Sequence, residues 1–517
     1  MKRRDCIKSL GLASAALVFS KRSFPAEKKA QPRSNILYIM SDDHTSQAIG
    51  AYGSRLASLN PTPAIDRLAR EGIRLDNVFC TNSICTPSRA SIITGQYSHV
   101  NGAYTLNDEL PPEKQYLPLV LKRAGYQTAV IGKWHLKREP AEGFDYYNVL
   151  PGQGRYFKPL LKEKGKPWQN GDKGGIAHEG WCDDVITDIS LEWLKRRDRT
   201  KPFFLLNHFK APHDMFENAP RYDKLYEDVQ IPEPDSLYER GNHGPKGHPL
   251  YGTSISKRNT RRNMGMHMKV DPSLPDKEYT HEAYQRYLRR YLRCVKGVDD
   301  NVVRLLQHLE KEGELDNTII IYTSDQGLLL GEHDYMDKRW MYEECLRMPF
   351  LVRYPRWIKA GSSAGSIINN VDFAPTVLDI AGIATPDYMQ GRSFLPILQG
   401  KGEPSDWPQH TYYRYWMHMA HHDNPAHYGI RTKDHKLIFF YGHPLDAKGA
   451  EQTPTEPYWE LYDLRKDPYE MNNVHGDPAY AAVQKELKAE LLRLKKQLGD
   501  TDEKYPQMMK IREKYWD

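Results

Sequence analysis

Five short apolar segments limit the folds available to this chain more than any other feature of its sequence. They are rich in β-branched and aromatic residues, and they span residues 35–40, 128–131, 203–207, 318–322 and 349–353. Because their apolar residues are continuous rather than alternating, we expect strands that are covered on both faces. Amphipathic stretches lie between them, at residues 64–71, 116–124, 183–196 and 281–311. The pattern predicts an α/β fold in which helices flank a mainly parallel sheet.

Polar and charged residues follow four of these segments directly, at residues 41–44, 132–135, 208–213 and 324–327. In an open parallel sheet the carboxyl ends of the strands share one edge, and ligands bind there. The sequence therefore predicts that acids, lysines and histidines from four strands meet at one place.

The C-terminal part of the chain has a different pattern. Short alternating segments at residues 427–441 and 458–464 precede a long helical stretch at residues 478–498. We interpret residues 28–404 as a catalytic domain and residues 405–517 as a smaller antiparallel α+β subdomain. Residues 234–277 show no periodicity and are predicted to form a long insertion loop.

The N-terminus has the features of an export signal. Residues 1–30 contain eight Lys and Arg but two acids, and the apolar run at residues 10–19 is too short for a membrane anchor. The adjacent Arg3 and Arg4 favour a twin-arginine signal over an ordinary secretory one. We expect residues 1–27 to direct export to the periplasm or the medium. The rest of the chain has 65 basic and 65 acidic residues, so charge gives no support for nucleic-acid binding.

Five cysteines follow the predicted signal: Cys80, Cys85, Cys182, Cys294 and Cys345. Exported proteins usually pair their cysteines, but five cannot all pair. At least one must therefore have another role or remain a buried thiol.

One of these cysteines opens the motif Cys85-Thr86-Pro87-Ser88-Arg89. Pro87 and Ser88 suit a first helical turn, which places Cys85 at a helix N-terminus. Backbone N–H groups and the helix dipole stabilise a developing anion there, as a nucleophile requires. A buried thiol in front of an ordinary helix is the alternative.

This motif resembles the signature of the formylglycine-dependent sulfatases. The similarity extends over residues 35–400 and includes a second pattern at residues 460–468. It implies an alkaline-phosphatase-like fold, and it implies that a formylglycine-generating or other sulfatase-maturing enzyme oxidises Cys85 to formylglycine (3-oxoalanine). In that family the hydrated aldehyde attacks sulfur and gives a covalent sulfate ester.

Three carboxylates at two strand ends point to a metal ion. Asp42, Asp43 and Asp325 would repel one another at one edge unless a cation lay between them, and oxygen ligands favour Ca²⁺ or Mg²⁺ over Zn²⁺. The resemblance implies one Ca²⁺ per chain, bound by these three residues, Gln326 and the group derived from Cys85. The family more often has Asn or His where Gln326 stands.

The resemblance also implies roles for five further residues. Arg89 would hold the hydrated aldehyde, and His135 would deprotonate it. Lys133 and Lys338 would bind sulfate oxygens, while His213 would protonate the departing alcohol.

We therefore expect an exported sulfatase that acts on a sulfated carbohydrate. Ulvan, carrageenan and glycosaminoglycans all remain open as substrates. The carbohydrate is inferred from export, from aromatic residues near positions 181 and 412–416 that could stack on sugars, and from the resemblance of residues 337–344 to polysaccharide sulfatases.

Two alternatives stay open at this point. One is a phosphate or phosphonate ester hydrolase of the same superfamily, and the other is a sulfated-glycan binding protein with an unconverted Cys85. Weaker candidates for substrate contact are His208, Lys210, Arg347, Arg353 and the basic segment 257–262, while residues 332–334 would shape the pocket.

Overall fold

A computed structural model describes residues 33–140, 142–239 and 251–517, so the predicted export signal lies outside the described residues. The described residues form a central sheet and a second, smaller sheet. The central sheet contains β1 (Asn35–Ser41), β2 (Ile73–Phe79), β3 (Gln127–Lys133), β4 (Tyr146–Leu150), β5 (Leu160–Glu163), β6 (Ile176–Ala177), β7 (Phe203–His208), β8 (Thr318–Ser324), β9 (Phe350–Arg353) and β10 (Ser362–Asn369).

The central sheet is mainly parallel, as predicted. Its strand order is β10-β2-β9-β8-β1-β7-β3-β4-β5-β6. The four strands that carry polar residues at their ends are adjacent, and β8, β1, β7 and β3 run parallel. The fifth predicted strand, β9, runs antiparallel between β2 and β8. The carboxyl ends of the four parallel strands therefore share one edge.

Helices cover both faces of this sheet. The helices are α1 (Pro63–Glu71), α2 (Cys85–Thr94), α3 (Ser98–Asn101), α4 (Tyr116–Arg123), α5 (Cys182–Arg196), α6 (Met264–His267), α7 (Asp276–Lys311), α8 (Glu343–Leu346), α9 (Phe373–Ile380), α10 (Leu395–Leu398), α11 (Ala481–Leu498) and α12 (Pro506–Tyr515). Helices α1, α5 and α7 pack together, and α2, α4 and α9 form a second group. Helix α11 packs on the second sheet instead. The predicted helices are confirmed to within a few residues.

The central strand β1 shows why its apolar residues are continuous. Ile36 and Tyr38 belong to one hydrophobic core, and Leu37 and Ile39 belong to the core on the opposite face. Burying one such side chain contributes about 1.5–3 kcal/mol. A strand between two helical layers gains this contribution from the apolar side chains on both of its faces.

The second sheet is antiparallel and consists of β11 (His410–Tyr415), β12 (His427–Thr432), β13 (His435–Phe440) and β14 (Tyr458–Asp463). Its strands alternate between two cores rather than between core and solvent. Ile430 and Leu437 pack with residues of α11, whereas Ile438 and Phe440 join the core of the central sheet. Both sheets lie in one compact unit, Ser34–Asp517. The boundary at residue 405 stays a prediction.

The predicted insertion loop contains no strand among its described residues. It includes a short 3-10 turn at Asp235–Leu237 and the four-residue helix α6. Across the described part of the chain, every helix is too short or too polar to cross a bilayer. The five described cysteines are all buried free thiols.

Candidate active site

Cys85 is the first residue of α2, as the motif predicts. The residue before it, Ile84, is extended and gives no side-chain cap to the helix, so the first backbone N–H groups remain available to an anion. The Cys85 side chain is completely buried, and burial raises the pKa of its thiol to about 12. Its Sγ lies 3.5 Å from Asp42 Oδ1 and 3.7 Å from Gln326 Nε2.

Three carboxylates lie beside this thiol. One oxygen from each of Asp42, Asp43 and Asp325 lies within 4.8 Å of the others, and the three side chains are buried. The backbone N–H of Asp43 donates to Asp325 Oδ1 at 3.2 Å, which ties the ends of β1 and β8 together. The predicted convergence of these acids is therefore present.

Gln326 offers a further oxygen to the same cluster. Its Nε2 donates to Asp43 Oδ1, while its buried Oε1 has no hydrogen-bond partner. A buried amide oxygen without a partner carries a desolvation penalty that a cation removes. The longer glutamine side chain thus fits the predicted set of oxygen ligands, although it departs from the Asn or His of the family pattern.

Arg89 lies one turn along α2 and joins two strand ends. Its Nε donates to Asp325 Oδ2 at 3.0 Å, and its Nη1 donates to the carbonyl oxygen of Lys133 at 2.7 Å. Its Nη2 lies 3.6 Å from Asp42 Oδ1. Although burial by itself raises the pKa of Asp325, the charges of Arg89, Lys133 and Lys338 hold it below its usual value.

Lys133 ends β3 and points at the cluster. Its Nζ contacts Asp42, donates to Gln153 Oε1 at 2.6 Å and lies 3.9 Å from Cys85 Sγ. The preceding Gly132 has φ +101°, and a Cβ there would lie 1.9 Å from the carbonyl oxygen of His208. Only glycine therefore allows this close approach of the two strands. Burial and other nearby cations lower the pKa of Lys133 well below its ordinary value.

Lys338 reaches the same cluster from the segment between β8 and β9. Its Nζ lies 2.5 Å from Asp43 Oδ2. Burial by itself lowers the pKa of Lys338, but the Asp43 carboxylate outweighs it and the net effect is a rise. The Asp43 carboxylate thus favours the charged form of Lys338.

The two predicted histidines have different surroundings. His213 Nδ1 lies 2.6 Å from Asp214 Oδ1, and its Nε2 lies 3.7 Å from Asp43 Oδ2. His135 is buried, and its Nδ1 has no hydrogen-bond partner. Burial, reinforced by Lys133, lowers the pKa of both rings well below the ordinary value.

A cavity of about 200 Å³ opens onto this cluster. The predicted residues Asp43, Cys85, His213 and Lys338 line it. Arg262, from the weaker candidate segment 257–262, also lines it. The remaining lining residues were not identified from the sequence as site residues: Leu106, Gln153, Asp214, Leu328, Met336, Asp337, Arg339, His421 and His422. Proximity along the chain could have indicated Asp214, Asp337 and Arg339, whereas the others come from loops that carry no motif.

Three of the weaker candidates contact other groups of the protein. His208 Nδ1 lies 3.0 Å from the carbonyl oxygen of Lys133, and the ammonium group of Lys210 lies over the Tyr156 ring, 4.5 Å from its centre. Arg353 pairs with Glu71 and Asp316.

The aromatic residues near positions 181 and 412–416 do not line the cavity. Trp181 and Tyr412 are buried in hydrophobic cores, so the expectation that they stack on sugars is wrong. Residues 332–334 also lie outside the cavity lining.

The small sheet holds two site loops in place. The Tyr413 hydroxyl lies 2.6 Å from Ser83 Oγ, two residues before Cys85. The same hydroxyl lies 2.9 Å from the carbonyl oxygen of Arg339, which follows Lys338. One buried side chain of β11 thus connects the segment before Cys85 to the segment that contains Lys338.

Residues 34–383 of this chain match the Sulfatase family, and residues 331–497 match the family described as N-sulphoglucosamine sulphohydrolase, C-terminal. The chain belongs to the sulfatase family. It is therefore a sulfuric ester hydrolase, which confirms the resemblance carried by the Cys85 motif.

Individual relatives of this sulfatase agree. An N-acetylglucosamine-6-O-sulfatase of Bacteroides thetaiotaomicron is 41% identical over 96% of this chain and 92% of its own. A solved structure described as a complex with its substrate D-glucosamine-2-N,6-O-disulfate has a TM-score of 0.81 and 41% identity, and covers 91% of this chain and 99% of that chain.

The same fold also occurs in a phosphonate monoester hydrolase of Silicibacter pomeroyi. That structure has a TM-score of 0.69 at 21% identity, over 90% of this chain and 96% of that chain. The likeness concerns the fold alone. The family match and the relatives at 41% identity, rather than the fold, therefore separate this sulfatase from the phosphonate alternative.

Proposed function

We propose that this sulfatase hydrolyses the 6-O-sulfate ester on a glucosamine unit of a sulfated carbohydrate. The observation that carries the proposal is the position of Cys85. It lies at a helix N-terminus, lines a cavity and is surrounded by three carboxylates and two lysines. The sugar and the sulfate position are suggested by the relative named N-acetylglucosamine-6-O-sulfatase and by the similar structure with its glucosamine disulfate.

One Ca²⁺ fits the buried oxygen cluster. Asp42, Asp43, Asp325 and the unpartnered Oε1 of Gln326 would hold it, because hard oxygen ligands match a hard cation. When bound, the ion supplies positive charge against the oxygens of the sulfate ester. We propose one such ion per chain.

Cys85 is proposed to be converted to formylglycine by a sulfatase-maturing enzyme. The hydrated aldehyde supplies a hydroxyl nucleophile together with a second hydroxyl whose deprotonation restores the aldehyde. The chain's own contribution is to stabilise negative charge at this position. The free N–H groups at the start of α2 and the guanidinium of Arg89 provide that stabilisation.

Lys133 and Lys338 are proposed to bind the oxygens of the sulfate group. Each lies beside a different carboxylate of the cluster, so Lys133 approaches this region from the end of β3 and Lys338 approaches it from the segment between β8 and β9. Charge stabilisation of this kind acts on every sulfate ester, whatever alcohol leaves.

His213 is proposed to donate a proton to the departing sugar oxygen. Its Nδ1 is held by Asp214, which leaves Nε2 directed towards Asp43 and the cavity. Burial lowers the pKa of His213, but the negative charge of a bound sulfate would raise it again. His135 is proposed to remove the proton that releases sulfate.

The cavity suggests how much of a carbohydrate enters. Its volume of about 200 Å³ is below the ~300–1,000 Å³ of pockets for drug-sized ligands. We therefore propose that a single terminal sugar unit enters with its sulfate. Export to the periplasm or the medium, by a twin-arginine signal in residues 1–27, would bring the enzyme to such substrates.

The test measures sulfate release by protein produced in a host that has a sulfatase-maturing enzyme. N-acetylglucosamine-6-O-sulfate should be hydrolysed, and the 3-O and 4-O isomers should not. The panel also includes ulvan and carrageenan oligosaccharides, a phosphonate monoester, and a Cys85→Ala control. The mass of the peptide that contains Cys85 should be that of the aldehyde or its hydrate.

Three outcomes would contradict the proposal. Preference for the phosphonate would favour the superfamily alternative, and preference for an algal oligosaccharide would overturn the choice of sugar. Binding of a sulfated sugar without any sulfate release, with Cys85 unmodified in a competent host, would favour the glycan-binding alternative.

A further inference from the structure

The basic segment 257–262 contains four cations, and three of them serve the fold. Lys257 Nζ donates to the carbonyl oxygen of Leu274 at 2.7 Å, and Arg258 Nε lies 3.2 Å from Asp334. The third, Arg261, lies 3.4 Å from Asp423.

Arg262 is different from its three neighbours. Among the described residues its guanidinium has no hydrogen-bond or ion-pair partner, and Arg262 lines the cavity that contains Cys85 and Lys338. Its positive charge contributes to the lowered pKa of His421 and His422, both of which are depressed chiefly by burial. The side chain therefore lies among cavity residues rather than in the surrounding solvent.

The backbone around Arg262 is fixed relative to the catalytic residues. Asn259 Oδ1 accepts hydrogen bonds from the backbone N–H groups of Arg261 and Arg262. In the same loop, the carbonyl oxygen of Thr253 accepts from the N–H of Met336, two residues before Lys338. The loop and the Lys338 segment are thus held together.

The charges that line the cavity are paired, with one exception. Lys338 lies 2.5 Å from Asp43, and Arg339 Nη1 lies 2.6 Å from Asp337 Oδ1. The remaining acid, Asp214, is held by His213. Among the described lining residues, Arg262 is the cation without a partner. Of the three lining Lys and Arg side chains, Lys338 and Arg339 therefore contact lining acids, whereas Arg262 does not.

We propose that Arg262 binds a second sulfate group, on the same sugar ring as the ester that is hydrolysed. This inference rests on the proposed function. Lys133, Lys338 and the metal site already account for the first sulfate, so the unpaired guanidinium of Arg262 is available for a second anion. A guanidinium suits sulfate because its planar N–H groups can donate two parallel hydrogen bonds to two oxygens.

The size of the cavity favours one sugar ring as the source of both sulfates. A volume of about 200 Å³ leaves little room for a neighbouring sugar beside the scissile unit. A carboxylate on the next sugar is chemically similar, and the experiment separates the two sources.

The experiment compares Arg262→Gln with the wild-type enzyme on three substrates. They are N-acetylglucosamine-6-O-sulfate, glucosamine-2-N,6-O-disulfate, and a disaccharide that joins the monosulfated sugar to a uronic acid. A lost charge-assisted hydrogen bond corresponds to a loss on the order of tenfold to a hundredfold. We expect this loss in kcat/KM for the disulfated sugar, mainly through KM, and a much smaller change for the other two.

Arg261→Gln is the matched control, because Arg261 is adjacent, is more than half exposed and pairs with Asp423. It should leave all three substrates unchanged. An equal loss on the monosulfated and disulfated sugars, or no loss on the disulfated sugar, would overturn the proposal. A loss confined to the uronic acid disaccharide would also overturn it and would assign the anion to the neighbouring sugar.

Failure of the proposed function would be recognised separately, because the wild-type enzyme would then release no sulfate from any of the three. In that case the affinity of Cys85→Ser protein for the disulfated sugar, measured by calorimetry with and without Arg262→Gln, still tests Arg262. Weaker binding of the double variant would support the proposal, and unchanged binding would refute it.

Discussion

Asp214→Asn should separate proton donation from sulfate binding. Asp214 Oδ1 lies 2.6 Å from His213 Nδ1, and both groups line the cavity. The substitution keeps the shape of the side chain but removes its negative charge. His213 would keep a hydrogen-bond partner and lose the charge that favours its protonated form.

The size of the effect follows from the geometry. A hydrogen bond to a charged group contributes about 1.5–3 kcal/mol, and the Asp214 side chain is 27% exposed, so we take the lower half of that range. About 1.5–2 kcal/mol corresponds to ~10–30-fold in rate, and the loss of the Asp214 charge lowers the pKa of His213 further. A required acid is lost as pH rises through its pKa, so the alkaline limb of the pH profile should move to lower pH.

The assay compares a sugar sulfate with an activated aryl sulfate, whose leaving group needs little protonation. We expect the sugar sulfate to lose ~10–30-fold and the aryl sulfate to change much less. His213→Ala combined with Asp214→Asn should lose no more than His213→Ala alone, since the two residues act as one unit. Equal losses on both substrates, or a lower metal content in Asp214→Asn, would refute this role and assign Asp214 to the metal site.

Further outcomes follow from the same site. Cys85→Ala should abolish turnover and leave the urea unfolding midpoint nearly unchanged; residual sulfate release would overturn the nucleophile assignment. Lys133→Ala should slow sugar and aryl sulfates alike, on the order of a hundredfold, because it removes charge from the sulfate itself. Chelation should lower activity, and Ca²⁺ should restore it better than Zn²⁺; the opposite order would contradict an all-oxygen site. Tyr413→Phe leaves Ser83 without its 2.6 Å partner and should cost about 1–3 kcal/mol of unfolding free energy, measured by urea titration.

The sequence predicts the strands whose own side chains stabilise them. The run that forms β1 is apolar throughout because both of its faces are buried. In contrast, β10 has the sequence SSAGSIIN, which contains no long apolar run, so the sequence alone does not predict this strand. Its pairing with β2 depends on backbone hydrogen bonds to a strand that is distant in sequence, and no local pattern encodes such a partner.

The alternating pattern of the C-terminal strands predicts an antiparallel sheet, which the structure contains, but it does not predict what covers the two faces of that sheet. Alternate residues of this sheet enter two different cores, and several of them are polar or aromatic, such as Tyr413 and Tyr415. A tyrosine at an alternating position is compatible with solvent or with a core. Only the packing of the second sheet against the first distinguishes the two.

The site residues at strand ends could be predicted because a parallel sheet delivers them to one edge. Gln153 could not, since it lies in a loop whose path depends on tertiary contacts, and Arg262 was indicated only as part of the basic segment 257–262. Arg262 in particular shares its segment with three cations of structural use, and sequence alone does not distinguish among the four.

The contact of Tyr413 with Ser83 and Arg339 has a consequence for the order of events during synthesis. A chain is made from its N-terminus, and Tyr413 emerges long after Cys85. The connection that fixes the segment preceding Cys85 therefore cannot form until most of the polypeptide exists. The proposed conversion of Cys85 by a maturing enzyme would have this interval available to it, before the second sheet fixes the segment.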